Sequence, residues 1–199
     1  VKMVPRIFRI AGLLALPVIL FGCCNGSNAD LVSSSSVNLR PQETANWCWA
    51  ATTEMVAEEM GESLDQCELA NDRFGRTDCC EGGCPKNDDC NMPGWTMFTE
   101  TGATLDTTAA PLSWNAIKKQ VYCKKKPMAY AYGPKTGGVG HVLVIYGYAE
   151  IGTTGSTRYL FLKDPWSPCN GEDRAITYDE YSNSGTTDHW STMYNIVYN

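Results

Sequence analysis

Gln42-Glu43-Thr44-Ala45-Asn46-Trp47-Cys48-Trp49-Ala50-Ala51 sets a cysteine at the opening of a helix, six residues after a glutamine. Asn46 is a residue type that caps helices, the pattern after it continues to about Met60, and Gly61 stands where a helix would stop. The stretch therefore predicts a helix that carries Cys48 in its first turn. A helix dipole favours a thiolate there, and a nearby carboxamide can donate to the oxyanion that thiolate attack creates. Cys48 is the candidate nucleophile and Gln42 the candidate oxyanion donor.

Downstream, Ser63 is placed to cap a second helix through about Phe74, ended by Gly75. Trp95 to Thr101 predicts a short third helix, and Ser113 starts a fourth over Trp114 to Val121. From Pro127 the pattern changes to aromatic and β-branched runs, Met128 to Tyr132, His141 to Ala149, Arg158 to Lys163 and Ser191 to Tyr198, separated by Gly, Thr and Ser turns. Tyr178 to Ser182 reads equally as a short helix or a strand end. Helices first and strands later predict an α+β domain with N-terminal helices packed against a largely antiparallel C-terminal sheet. No internal repeat is evident.

Upstream, Lys2, Arg6 and Arg9 precede an apolar run of twelve residues, Ile10 to Phe21, too short to span a bilayer comfortably and patterned as a secretory signal. Its end, Leu20-Phe21-Gly22-Cys23, resembles the bacterial lipobox, in which the cysteine is acylated and becomes the new N-terminus. The resemblance implies a signal peptide over residues 1–22, lipidation of Cys23, and a chain exported to the bacterial cell envelope and held there by lipid, at the outer membrane in a Gram-negative host. The alternatives are an ordinary cleaved signal, giving a secreted protein, or a signal anchor. Residues 23–38, with a run of four serines, read as a polar tether, and the domain is expected over 39–199.

Removing the signal takes away three basic residues and leaves 13 Lys+Arg against 22 Asp+Glu, a net charge of about −9. The only short basic run is Lys124-Lys125-Lys126, so nucleic acid is not an expected partner. The 177 residues that remain suffice for one substantial core, and the domain is expected to act as a monomer.

Ten cysteines in an exported chain predict disulfides. With Cys23 reserved for lipid and Cys48 for catalysis, eight remain: Cys24, Cys67, Cys79, Cys80, Cys84, Cys90, Cys123 and Cys169. The sequence does not choose among their pairings, although adjacent Cys79 and Cys80 are expected to take different partners. Five of them crowd between Cys67 and Cys90 in a segment dense in Gly, Asp and Asn, which reads as a stapled loop. A zinc site there would lack paired C-x-x-C knuckles and a nearby histidine.

A thiolate nucleophile needs a base, and the chain has two histidines. His141 follows Gly137-Gly138-Val139-Gly140 and opens a predicted strand, which would fix an imidazole at the mouth of a cleft; the bland reading is a sheet-edge histidine with no task. His189, in Thr186-Thr187-Asp188-His189-Trp190, has the surroundings of a surface loop. Asp164, at the end of Tyr159-Leu160-Phe161-Leu162-Lys163, is placed to orient the imidazole, with Trp166 two residues on able to shield that bond from water. Asp164-Pro165-Trp166 reads otherwise as a simple turn.

Gln42 with Cys48-Trp49-Ala50, then His141 with Gly147-Tyr148, then a polar residue two before Trp166, resembles the papain-like cysteine peptidases. Trp47-Cys48-Trp49-Ala50-Ala51 is closer to their compact bacterial branch, which includes secreted effector proteases and domains similar to the leader peptidases of bacteriocin exporters. The resemblance covers roughly residues 39 to 198. It implies a papain-like fold and hydrolysis of peptide or protein substrates, with Cys48 as nucleophile, His141 as general base and then acid, Asp164 as orienter, Gln42 as oxyanion donor, and Trp49 and Trp166 as supporting residues. No cofactor or metal is implied. Ala45 stands where larger relatives carry a cysteine three residues before the nucleophile, so their pairings do not transfer. Cys80-Glu81-Gly82-Gly83-Cys84-Pro85 is similar to the glycine pair that binds substrate backbone in papain, and equally to a plain glycine turn. The same triad also serves cell-wall peptide amidases and acyl transferases, and a silent papain-like module would bind peptides without cleaving them.

Overall fold

The structure, a computed structural model, describes residues 32–33, 36–152 and 157–199. The signal segment, Cys23, Cys24 and most of the tether lie outside them. Among the described residues no helix is long and apolar enough to cross a membrane.

Four helices, α1 (Cys48–Glu59), α2 (Gln66–Phe74), α3 (Trp114–Lys118) and α4 (Tyr178–Ser182), accompany an antiparallel sheet of β1 (Val32–Ser33), β2 (Ala103–Thr108), β3 (Met128–Pro134), β4 (His141–Ile151), β5 (Thr157–Asp164), β6 (Glu172–Thr177) and β7 (Thr187–Tyr198). The strand order is β2-β7-β3-β4-β5-β6, with β1 joined to β4. This is the expected α+β arrangement. The sheet also takes in part of the stretch read as a tether, because Val32 and Ser33 pair with Tyr148 and Gly147, and Val37 is buried.

Alternation along the central strands gives the sheet two apolar faces. Ala129, Ala131, Val142 and Val144 join the core beneath α1 and α2, while Met128, Tyr130, Leu143 and Ile145 join a second core with Trp114, Ile117, Val121 and Tyr181 from the α3 and α4 side. Small residues dominate where α1 meets the sheet. Ala50 and Ala51 are fully buried, and Thr52 Oγ1 donates to the Val142 carbonyl at 3.1 Å.

The helix starts differ from expectation in ways that matter for the site. Asn46 does not cap α1: it pairs with Asn91, its N–H donating to Oδ1 at 2.9 Å and its Nδ2 donating to the carbonyl at 3.1 Å. Trp47 occupies the cap position without a side-chain capping bond. Asp65, not Ser63, caps α2, because its carboxylate reaches the Cys67 N–H at 3.0 Å. Ser113 caps α3 as expected, and the helix passes into a π-helical turn, Lys119–Cys123. Tyr178 to Ser182 is a helix, fixed by a capping box between Thr177 and Glu180.

Two strands escaped prediction. Trp95 to Thr101 forms no helix, but ends in a turn that leads into β2, whose Thr and Asp residues lack an apolar period. β6 is polar and largely exposed. Both lie at sheet edges, where ladder bonds hold a strand that burial does not.

Three disulfides, Cys67–Cys80, Cys79–Cys90 and Cys84–Cys169, join described residues, and Cys123 is also disulfide-bonded. Adjacent Cys79 and Cys80 do take different partners. Of these three, Cys84–Cys169 closes the longest loop, 85 residues, and constrains the unfolded chain by about 4.5 kcal/mol on loop-entropy grounds.

The Trp190 indole crosses two glycines. A Cβ on Gly133 would lie 1.9 Å from the ring, and one on Gly140 would lie 2.0 Å from it. Gly133→Ala should therefore destabilise the fold by about 1–3 kcal/mol in urea titrations, because ring and strand must part. Gly185→Ala, with nothing within 4 Å of the added carbon, should stay close to wild type.

Candidate active site

Three elements deliver three side chains to one place. Cys48 is the first residue of α1 and is 8% exposed. His141 opens β4, and antiparallel pairing sets the start of β4 beside the end of β5, where Asp164 sits. His141 Nε2 lies 2.6 Å from Asp164 Oδ1. Asp164 thus occupies Nε2, which leaves Nδ1 as the ring nitrogen available to the Cys48 thiol in the cleft that both residues line. Among the described residues Cys48 is the one free cysteine. His189 lies elsewhere, bonded to the Ala109 carbonyl and Thr192 Oγ1 and stacked on Tyr130.

The carboxylate is more completely held than the sequence suggested. Asp164 Oδ1 also accepts the Trp166 backbone N–H at 3.0 Å, and Oδ2 accepts Arg174 Nη1 at 2.6 Å. Trp166 thus meets Asp164 through its backbone, while its side chain stands half exposed.

Burial alone would lower the pKa of His141. Its hydrogen bonds to Asp164 and Cys48, and their charges, outweigh burial and raise it to about 9. Burial likewise pushes Asp164 up, but His141, the Trp166 N–H and Arg174 together hold it below the ordinary carboxylate value.

Gln42 lies beneath the site and does not line the cleft. It is fully buried, and its Nε2 donates to the carbonyls of Thr44 at 2.7 Å and Ala45 at 2.8 Å. Its backbone ties two turns together: its N–H donates to the Pro165 carbonyl at 3.0 Å, and its carbonyl accepts the Cys169 N–H at 2.9 Å. Gln66 of α2 brackets the same loop, its Oε1 accepting the Glu43 N–H at 3.0 Å and its Nε2 donating to the Pro41 carbonyl at 3.0 Å. The backbone N–H of Cys48, first in its helix, has no intrahelical acceptor and sits beside the thiol.

Cys48 and His141 open onto a cleft of about 410 Å³. One wall is Pro93-Gly94-Trp95 together with Arg73, whose Nη1 donates to the Trp95 carbonyl at 2.9 Å, and Trp49 Nε1 donates to the Met92 carbonyl at 3.2 Å. The opposite wall is Gly138-Val139-Gly140 with Trp190, whose ring is 6.2 Å from that of Trp95. Gly82 and Gly83 are exposed and line no part of it; the glycines that line the cleft are Gly94, Gly138 and Gly140.

The family model described as papain-like cysteine protease AvrRpt2 matches residues 32–184. The chain belongs to that family. This AvrRpt2-type protease is thereby a peptidase of the papain-like class, acting on peptide or protein substrates. Among solved structures it is similar to a recombinant stem bromelain precursor (15% identity, TM-score 0.42, covering 80% of this chain and 67% of that one). It is similar also to bromelain from Ananas comosus in complex with the E64 inhibitor (13%, 0.45, 81% and 94%) and to the proform of the ragweed pollen allergen Amb a 11 (13%, 0.46, 88% and 67%). No curated protein matches.

Sequence reasoning missed Arg174, Gln66 and the cleft residues Gly94, Trp95 and Trp190. Only Trp95 and Trp190 carried a signal, as tryptophans next to turn residues. Arg174 stands in a polar edge strand that offers none.

The raised pKa of His141 has a signed consequence. Below about pH 6.5 the imidazole is protonated in folded and unfolded chains alike, and its pairing contributes fully; the contribution fades as pH rises through about 9. The stability gap between the AvrRpt2-type protease and its His141→Ala variant should therefore be wider at about pH 6 than at about pH 10 in denaturant titrations. An equal gap at both would mean the pair is not ionised.

Proposed function

We propose that the chain is a cysteine endopeptidase in which Cys48 attacks the substrate carbonyl, His141 exchanges the proton and Asp164 holds His141. The observation that carries this reading is that the free thiol of Cys48 and the His141 imidazole line one open cleft while Asp164 holds that imidazole at 2.6 Å. The thiolate sulfur bonds to the carbonyl carbon, the imidazolium protonates the departing amine, and a water deprotonated by His141 then hydrolyses the thioester and restores the thiol. The Cys48 N–H is the first oxyanion donor. Gln42 is the second, one Nε2 proton turning from a loop carbonyl toward the oxyanion as it forms.

The disulfides suggest an exported protein. We place it at a bacterial cell surface, held by lipid on Cys23. Mass spectrometry of the N-terminal peptide should find an acylated Cys23; a free N-terminus beyond Cys24 would recast the chain as a released protease.

Cys48→Ala and His141→Ala should abolish cleavage of a peptide library with the fold retained, and Asp164→Ala should leave a residue of activity, since orienting is a lesser task than attack. Gln42→Ala should lower kcat by about 10²- to 10³-fold with little change in KM. An effect confined to KM would remove Gln42 from the oxyanion site.

A further inference from the structure

Asp164 is gripped on the side away from the cleft. Arg174 reaches its Oδ2 from β6 at 2.6 Å and shares a pocket with Tyr132, whose ring stands edge-on to His141 at 5.7 Å. Arg174 does not line the catalytic cleft. It lines a separate pocket of about 260 Å³ with Tyr130, Tyr132 and Glu180, and so cannot touch a substrate that occupies the cleft.

We propose that Arg174 is a positioning residue that offsets part of the Asp164 charge and thereby sets the pH window in which the Cys48–His141 pair is ionised. The proposal rests on the triad reading above. Asp164 is nearly inaccessible, its side chain 3% exposed, and would otherwise face the imidazole as a full anion in a poorly solvated place. A cation behind it has two consequences of the same sign: the imidazolium gives up its proton at lower pH, and the thiolate forms at lower pH. Both ends of the window shift downward together.

The other groups that face this array leave the assignment clean. Tyr130 and Tyr132 on β3 are pushed up, by burial first, and stay neutral throughout. Glu180 on α4 is held below its ordinary value, chiefly by the Thr177 N–H and hydroxyl, and stays ionised. His141 on β4 and Cys48 on α1 are then the pair on which Arg174 acts through Asp164.

The test needs no knowledge of the substrate. Iodoacetamide alkylation of Cys48 in the full chain, quantified on the Cys48 peptide across pH, should show two transitions, thiolate formation in the pair and loss of the imidazolium proton at higher pH. In Arg174→Gln both transitions should rise by about half to one pH unit, and Arg174→Lys, which restores the charge, should bring them most of the way back. Transitions that stay in place or fall in Arg174→Gln overturn the proposal, even if thermal stability drops, because a merely structural role would lower stability alone. Should Arg174→Gln not fold, Arg174→Met, uncharged and of similar length, should give the same upward shift; no shift there also overturns it. Failure of the triad reading looks different, since His141→Ala would then leave the alkylation profile unchanged.

Discussion

The close seating of α1 on the sheet is the contact on which the site depends. A helix lies near strands only where its facing side chains are small, and Ala50, Ala51 and Thr52 supply that face directly after Cys48. Larger residues there would lift the helix and carry the thiol away from an imidazole whose position is fixed by β4. The Thr52 bond to the Val142 carbonyl adds register to proximity, because it joins the helix to the strand one residue past His141. Cys48 and His141 thus belong to one helix–strand contact instead of to two loops.

Around that contact, three chain segments distant in sequence are knotted. The Gln42 backbone bonds to the turn after β5 at Pro165 and Cys169, and Cys169 is tied covalently to Cys84. The loop bearing Cys84 returns to the start of the knot, because the Lys86 N–H donates to the Glu43 carbonyl at 2.9 Å. The loop before the nucleophile and the turn after the orienting aspartate therefore move as one body. In a segment with so little apolar material, disulfides and buried tryptophan anchors do what a core does elsewhere: Trp47 Nε1 bonds to the Cys90 carbonyl at 2.8 Å, and Cys90 is itself bonded to Cys79.

What the sequence revealed follows from how local each signal was. α1, the central strands β3, β4 and β5, and the three residues Cys48, His141 and Asp164 that the fold brings together were legible because a helical pattern, apolar runs and scarce residue types all mark short stretches. β2 and β6 were not, since an edge strand is defined by its neighbour's ladder and theirs is more than eighty residues away or across a turn. Asn46 misled for a related reason. Its chemistry suits a cap, but Asn91, brought close only in the folded chain, takes both of its donors. Arg174 was invisible because a lone arginine among exposed polar residues acquires meaning only when β6 aligns against β5 and aims it at Asp164.

The uncapped start of α1 is then better understood as a condition of chemistry than as a defect. Replacing a good cap by a residue that cannot cap costs about 1 kcal/mol, and a side-chain oxygen over the first turn would occupy the N–H groups that face the thiol. Trp47 at the cap position presents no such oxygen, and Asn46 is held aside by Asn91. The helix keeps its position through Trp47, Trp49 and the bond from Met97 N–H to Thr53 Oγ1 at 3.0 Å, all made by side chains that point away from the cleft. Stability lost at the helix start is recovered by anchors farther in, and the partial positive charge of the first turn is left to act on sulfur and on a developing oxyanion.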